Sequence, residues 1–161
     1  TRSNIVCALG HRGCNQGGAG MKREIKFRAW DKENECYLYD IQRAYDMLSG
    51  CVKYDDGEDA VYEEECFAGF LDNEQYIIEQ YTGLKDKNGR EIYEGDIIVT
   101  HPKGKYEIPK IGVVQYGDCR PMFQYKSGDG EEYSIWSNNV YRTYEIIGNI
   151  FEDKQLLEGK Q

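Results

Sequence analysis

The stretch Gln80-Tyr-Thr-Gly-Leu-Lys-Asp-Lys-Asn-Gly-Arg-Glu-Ile-Tyr-Glu-Gly-Asp-Ile-Ile-Val99 carries the densest turn and strand signals of the chain. Its Asn88-Gly89 pair tolerates the positive φ angles of a type I′ turn, so it can join two antiparallel strands tightly. Glu94-Gly95-Asp96 is a second break, and the β-branched run that follows it predicts a short, largely buried strand. The stretch has no catalytic signature and predicts a compact unit of turns and strands.

Composition and charge exclude several classes of protein. The 161 residues are enough to bury a core without metals or disulfides. The 14 tyrosines are typical of half-buried strands and of binding surfaces. A net charge of −9 argues against general binding to a nucleic-acid backbone, which needs clustered lysine and arginine. No apolar run approaches the length of a membrane span, so we expect a cytoplasmic protein and no membrane partner.

Residues 1–20 are glycine-rich and precede Met21, which predicts a leader foreign to the domain. Within it, Cys7, His11 and Cys14 lack a fourth ligand at zinc-site spacing. The other cysteines form no Cys-x-x-Cys pair and are predicted to be free thiols; they are Cys36, Cys51, Cys66 and Cys119. We expect no metal site, no cofactor and no catalytic residue.

The residues after the leader predict a β-hairpin followed by a short helix. Residues 24–30 alternate apolar and polar side chains, which predicts a strand with Ile25, Phe27 and Ala29 on one buried face. A polar turn then leads to a returning strand at 36–39. Beyond Asp40, a predicted N-cap, apolar residues fit one helical face that ends at Gly50. They are Ile41, Ala44, Tyr45 and Leu48.

Further along, the sequence predicts strands over 51–54 and 76–81, a solvated acidic turn over 55–59, and either helix or strand over 61–71. Residues 101–109 are predicted to form a loop because Pro102 and Pro109 lack the N–H of a central strand. His101, without a second histidine or a cysteine beside it, is assigned a surface role. Five short strands between 96 and 150 favour a small antiparallel barrel, with 151–157 as a terminal helix or arm.

Three blocks of sequence resemble the YopX family of phage and prophage proteins. They are Ile25-Lys-Phe-Arg-Ala-Trp-Asp31, then Gln80 to Gly89 with Ile92-Tyr-Glu-Gly-Asp96, and Tyr144-Glu-Ile-Ile-Gly-Asn-Ile150. The resemblance implies a β-rich fold whose C-terminal half is similar to an SH3-type barrel. Together with the residue pattern it predicts a mainly β (α+β) fold, with an N-terminal β-hairpin, one or two short helices, and a C-terminal SH3-like small antiparallel barrel. It also implies a bacteriophage or prophage origin. With the strand pattern, it divides the chain into a leader (1–20), a β-rich part with short helices (21–95), and the barrel with its terminal arm (96–161).

The resemblance transfers no catalytic residue, and the sequence contains no phosphate-binding loop, dinucleotide fingerprint or hydrolase motif. The favoured interpretation is a non-enzymatic accessory module that binds a host or phage protein, or a second copy of itself. Its candidate surface, if the rings are exposed, consists of Tyr116, Tyr125, Tyr133 and Trp136.

Two alternatives stay open. A nucleic-acid-binding barrel would need its basic residues on one face; these are Lys103, Lys105, Lys110, Arg120, Lys126 and Arg142. A hydrolase with dispersed carboxylates would be indicated by a bound metal, or by a cleft with two converging carboxylates of shifted pKa.

Overall fold

The computed structural model describes residues 24–44, 52–60, 67–135 and 142–158. Several predictions fall outside these ranges: the leader, most of the helix predicted after Asp40, and the candidate residue Trp136. Two antiparallel five-stranded sheets make up most of the described chain. The mainly β class with few helices is therefore confirmed.

The first sheet has the strand order β3-β2-β1-β4-β5, and the second has the order β10-β6-β7-β8-β9. The first contains β1 (Phe27–Asp31), β2 (Cys36–Tyr39), β3 (Lys53–Tyr54), β4 (Tyr76–Lys85) and β5 (Glu91–Tyr93). The second contains β6 (Asp96–Pro102), β7 (Ile111–Tyr116), β8 (Phe123–Ser127), β9 (Glu132–Ser134) and β10 (Arg142–Asn149). The helices in the described ranges are a 3₁₀ turn at Ile41–Arg43, α1 (Phe67–Asp72) and α2 (Gln155–Glu158).

The five strands predicted after residue 95 are present as β6 to β10, but their closure into an SH3-like barrel is not confirmed. Strands β9 and β10 stand at the two edges of the second sheet, and no pairing joins them within the described residues. The sheet is open there. The predicted boundary at 95/96 falls in the turn between β5 and β6, where the chain passes from one sheet to the other.

The prediction of a single buried face on the first strand is wrong. Ile25 is 57% exposed, whereas Arg28 is buried. The physical reason is that Ile25 precedes β1, which begins at Phe27, and that both faces of β1 are covered by packing. Ala29 enters the core of the first sheet, and Arg28 faces the second sheet.

Each sheet has its own hydrophobic cluster. The first contains Ala29, Leu38, Ile41, Val52 and Phe70, and the second contains Ile92, Ile98, Val114, Tyr125 and Tyr144. The hairpin of β4 and β5 pairs with the first sheet, yet its Ile92 and Leu84 pack in the second cluster. The chain after β10 makes a return contact, because Phe151 stacks on Trp30 with ring centroids 5.1 Å apart. The two halves thus share packing in both directions.

The turn at Asn88-Gly89 joins β4 to β5 as predicted, but it is not type I′. Gly89 has φ +82°, while Asn88 does not have positive φ. The amide of Gly89 donates to the carbonyl of Asp86 at 3.0 Å, and the amide of Asp86 donates to that of Arg90 at 2.8 Å. This is a three-residue loop with glycine in the left-handed position, the next most common hairpin connection.

Two further local predictions need correction. Asp40 precedes the turn at Ile41–Arg43 with φ 58° and makes no side-chain capping bond, so it is not a conventional N-cap. His101 and Pro102 belong to the end of β6 and not to a loop. Proline is tolerated there because a strand end needs fewer ladder hydrogen bonds than a strand centre.

Candidate functional site

A buried charged cluster connects the two sheets. The Nε of Arg28 on β1 donates to Oε2 of Glu79 on β4 at 2.6 Å, and its Nη2 donates to Oδ1 of Asp96 on β6 at 2.8 Å. Nη2 also donates to the carbonyl of Glu94 at 3.1 Å. The three charged side chains are at most 5% exposed. One guanidinium therefore holds a carboxylate from each sheet.

Aromatic rings enclose the same guanidinium. Its central carbon lies 4.3 Å from the ring centroid of Tyr37 and 4.8 Å from that of Tyr93. A desolvated cation over aromatic faces gains an additional electrostatic attraction, and the planar guanidinium suits this stacking better than an ammonium. The environment thus selects arginine at position 28.

The turn between β5 and β6 fits around this cluster. The amide of Tyr93 donates to Oδ2 of Asp96 at 2.8 Å, and Oε1 of Glu94 accepts from the amide of Gln80 at 2.9 Å. Gly95 has φ +82°, and a Cβ at this position would lie 2.1 Å from Oε1 of Glu79. Each residue of this turn therefore has a structural role.

Burial changes the proton affinity of the cluster. It raises the pKa of Glu79 to about 7, although the Arg28 guanidinium opposes the shift. Burial also raises the pKa of Asp96 against the same opposing charge. For Arg28 the effect of burial is to lower the pKa, but Asp96 and Glu79 outweigh it, and the net shift is upward. The cluster therefore contains one permanent cation, Arg28, which two carboxyl groups share. The pKa of Glu79 lies near neutral pH.

A cleft of about 650 Å³ opens beside the cluster. Arg28, Tyr39, Tyr93 and Asp96 contribute to its wall on the side of the cluster, whereas Glu79 does not line it. The remaining charged side chains of the lining have both signs; they are Lys85, Arg90, Glu91, Glu152 and Asp153. The cleft is consequently polar and mixed in charge.

The hairpin turn after β4 covers the outer edge of β10. The amide of Ile146 donates to Oδ2 of Asp86 at 3.1 Å, and the amide of Lys87 donates to the carbonyl of Tyr144 at 2.8 Å. Arg90 adds a hydrogen bond from Nη2 to the carbonyl of Ile146. Burial raises the pKa of Asp86, but hydrogen bonds from backbone amides outweigh it and the net shift is downward. An ionised Asp86 thus protects a sheet edge from unwanted pairing.

The tyrosines nominated from sequence do not form one surface. Tyr116 is half exposed on β7 and contacts Phe123 edge to face. Tyr125 is fully buried, so it does not meet the condition of an exposed ring. Tyr133 is partly buried and stacks on Tyr125 with centroids 5.3 Å apart. Trp136 lies outside the described residues.

Among the described residues, the most exposed large apolar side chains lie elsewhere, in the loop between β6 and β7. Tyr106 is 97% exposed and Ile108 is 78% exposed. We call residues 103–110 the basic loop, since it contains three lysines and one glutamate. Sequence reasoning missed it because two apolar residues among glycine, proline and lysine form no periodic pattern. Their position in a predicted loop was the available signal.

The remaining candidates fit no site. His101 has a half-exposed side chain whose Nε2 lies 2.6 Å from Oε2 of Glu145, in agreement with a surface role. Cys36 and Cys119 are free thiols. In the described part of the chain, no group of three histidine, cysteine or acidic side chains could hold a metal ion. Every helix in the same ranges is too short or too polar to cross a bilayer.

Comparison with known proteins identifies a family and several similar structures, among them the following two. The sequence matches the family model of the YopX protein over residues 26–158. Protein EF1440 from Enterococcus faecalis has a similar structure, with a TM-score of 0.52 and 28% identity, over 84% of this chain and 99% of that chain. YopX from Bacillus subtilis gives a TM-score of 0.44 and 17% identity, over 81% of this chain and 96% of that chain. A search of curated proteins finds no match.

Proposed function

The chain belongs to the YopX protein family. From that premise we propose that it is a phage or prophage accessory protein in the host cytoplasm. In this proposal it acts as a non-enzymatic module that binds another protein or associates with itself. The family resemblance supports the accessory role. The exposed apolar side chains of the basic loop support the binding activity.

Tyr106 and Ile108 carry the proposal. Fully burying a side chain as large as isoleucine contributes roughly 1.5–3 kcal/mol, and neither residue gains this within its own chain. Tyrosine is also among the residues that contribute most to binding when an interface covers them. A loop that exposes two such residues is suited to anchor a partner protein.

Site-specific photo-crosslinking tests this assignment. A photoreactive phenylalanine analogue at position 106 is expected to give a discrete protein adduct in living cells, either with another protein or with a second copy of the chain. The same analogue at Lys126, an exposed position on β8, is the matched control and is expected to give none of that adduct. Excess unlabelled protein should compete for the adduct, whereas the double variant Tyr106→Ser, Ile108→Ser should not.

Identical adduct patterns at positions 106 and 126, or no adduct at 106, would argue against the loop as a binding surface. Adducts of defined mass that compete as described would identify the partner directly.

A hydrolase is the second candidate function, favoured by one observation. Glu79 and Asp96 converge at Arg28, and burial raises the pKa of both carboxyls. Their shared hydrogen bonds to one guanidinium and the absence of Glu79 from the cleft lining favour a structural role. A panel of glycoside and ester substrates decides the matter: hydrolysis by the wild type that is lost in a folded Glu79→Gln variant would establish the enzyme.

Nucleic-acid binding is less well supported, because the basic residues named for it are paired with acids in several places. Lys110 lies 3.4 Å from Asp129, and Arg142 lies 3.6 Å from Glu107. Arg120 lines a separate cleft that also contains Glu131 and Glu132. This arrangement does not present a continuous cationic face.

A further inference from the structure

We infer that the occupant of the basic loop is a second copy of this chain, which receives the loop on the acidic turn between β2 and α1. This inference rests on the proposed function and identifies its partner. The acidic turn comprises residues 53–59.

The two surfaces are complementary in charge. The basic loop contains three lysines and one glutamate, although the chain as a whole carries a net charge of −9. Lys110 is paired with Asp129 and Glu107 with Arg142, so these two pairs leave the loop basic overall. The acidic turn contains four carboxylates and one lysine within seven residues, and each of these residues is exposed. Complementary potentials of this kind bring partners together and fix their orientation.

Both surfaces also offer apolar area. Tyr54 on the acidic turn is 38% exposed, and it stands beside the carboxylates as Tyr106 and Ile108 stand beside the lysines. An interface needs such a desolvated centre, since exposed charge pairs alone contribute little. The basic loop and the acidic turn thus have opposite charge, and both expose apolar side chains.

The two surfaces belong to different sheets, because the basic loop follows β6 of the second sheet and the acidic turn begins with β3 of the first. Strand β6 begins at Asp96, beside Arg28, and runs outward to the basic loop. On the first sheet, the acidic turn begins with β3, whose Lys53 and Tyr54 pair with Tyr39 and Leu38 of β2. Contact between two unlike surfaces either closes as a reciprocal pair of chains, in which each loop meets the turn of the other chain, or continues head to tail into rings or filaments.

A charge-exchange experiment tests the contact with the full chain. One variant, Lys103→Glu with Lys105→Glu, reverses the basic loop, and a second, Asp55→Lys with Asp56→Lys, reverses the acidic turn. Sedimentation velocity over a concentration series should show that each variant alone associates at least about tenfold more weakly than the wild type. An equimolar mixture should recover association, because each reversed surface then meets a complementary one. Higher salt should weaken the wild-type assembly.

A wild-type chain that stays monomeric at high concentration would overturn this inference, and so would a mixture that fails to recover. The photo-crosslink at position 106 separates the two proposals. An adduct with a different protein leaves the loop as a binding surface and removes the second copy as its occupant. If no adduct forms at position 106, both the loop as a binding surface and the second copy as its occupant are overturned.

Discussion

Arg28 and Asp96 form a buried ion pair, with Nη2 and Oδ1 2.8 Å apart, that joins the first strand of one sheet to the first strand of the other. Arg28 belongs to the first block of sequence that resembles the YopX family, and Asp96 closes the second. The two blocks meet in space because they build the junction between the sheets. Their role in the fold therefore accounts for the presence of Arg28 and Asp96 in these blocks.

Replacing Arg28 with methionine is expected to destabilise the protein by about 3–5 kcal/mol. Methionine keeps much of the aliphatic length but leaves Glu79 and Asp96 buried without their cation, and the stacking on Tyr37 and Tyr93 is lost. Urea denaturation followed by circular dichroism measures the loss.

Lys53→Met is the control for this change, because its ion pair with Asp59 is exposed and 3.4 Å long. Such a pair contributes roughly 0–1 kcal/mol. Equal effects of the two substitutions would show that the Arg28 cluster does not hold the sheets together.

Glu79→Gln is expected to remove a pH dependence of stability between about pH 4.5 and 7. The folded-state pKa of Glu79 is raised from 4.5 to about 7, so the folded protein binds this proton more tightly than the unfolded chain does. The stabilisation from the bound proton is present below the unfolded pKa and is lost as pH rises through the folded pKa. Glutamine stays neutral and keeps an oxygen acceptor for Arg28.

The measurement is the free energy of unfolding of both proteins from pH 5 to 8. Relative to the Glu79→Gln variant, the wild type should lose on the order of 1–3 kcal/mol across this range. Two parallel curves would mean that the Glu79 carboxyl titrates at the same pH in the folded and unfolded chains.

Gly95→Ala is expected to destabilise the protein more strongly than Gly89→Ala, although both glycines have φ +82°. The strain of a left-handed alanine is common to both and costs about 1 kcal/mol. At Gly95 the new methyl group would also collide with the Glu79 carboxylate, whereas at Gly89 nothing lies within 4 Å of it. Thermal unfolding of the two variants measures the difference, and similar melting temperatures would contradict the close approach at Gly95.

The sequence predicted strands better than it predicted which faces are buried. Short β-branched runs such as 96–100 indicated strands by local chemistry, and those strands are present. The burial of Arg28 depends on a carboxylate 68 positions away, and no local pattern records such a partner. Tyr125 failed as a surface residue for a similar reason, because the same ring can fill a core or cover a partner.

Closure of the second sheet was also beyond local reasoning. A count of strands between turns is compatible with either a closed barrel or an open sheet. The two differ in whether the edge strands β9 and β10 pair with each other, and in the described residues they are the unpaired edges of the second sheet. The turn at Asn88-Gly89 was predicted as a hairpin, but its second role, covering the edge of β10, arises from contacts with Tyr144 and Ile146.

Asp86→Asn is expected to weaken that covered edge and lower stability by about 1–3 kcal/mol at neutral pH. The carboxylate accepts from the amides of Asn88, Arg90 and Ile146, and an amide group would turn a donor toward at least one of them. Because the folded-state pKa of Asp86 is lowered, its contribution is present above the unfolded pKa and is lost as pH falls through the folded pKa. The difference in the free energy of unfolding between variant and wild type should therefore disappear in acid.

Hydrogen exchange at the Ile146 amide should accelerate in Asp86→Asn but not in Asp129→Asn, which changes an exposed turn residue between β8 and β9. Unchanged protection of Ile146 would mean that Asp86 does not hold the edge of β10.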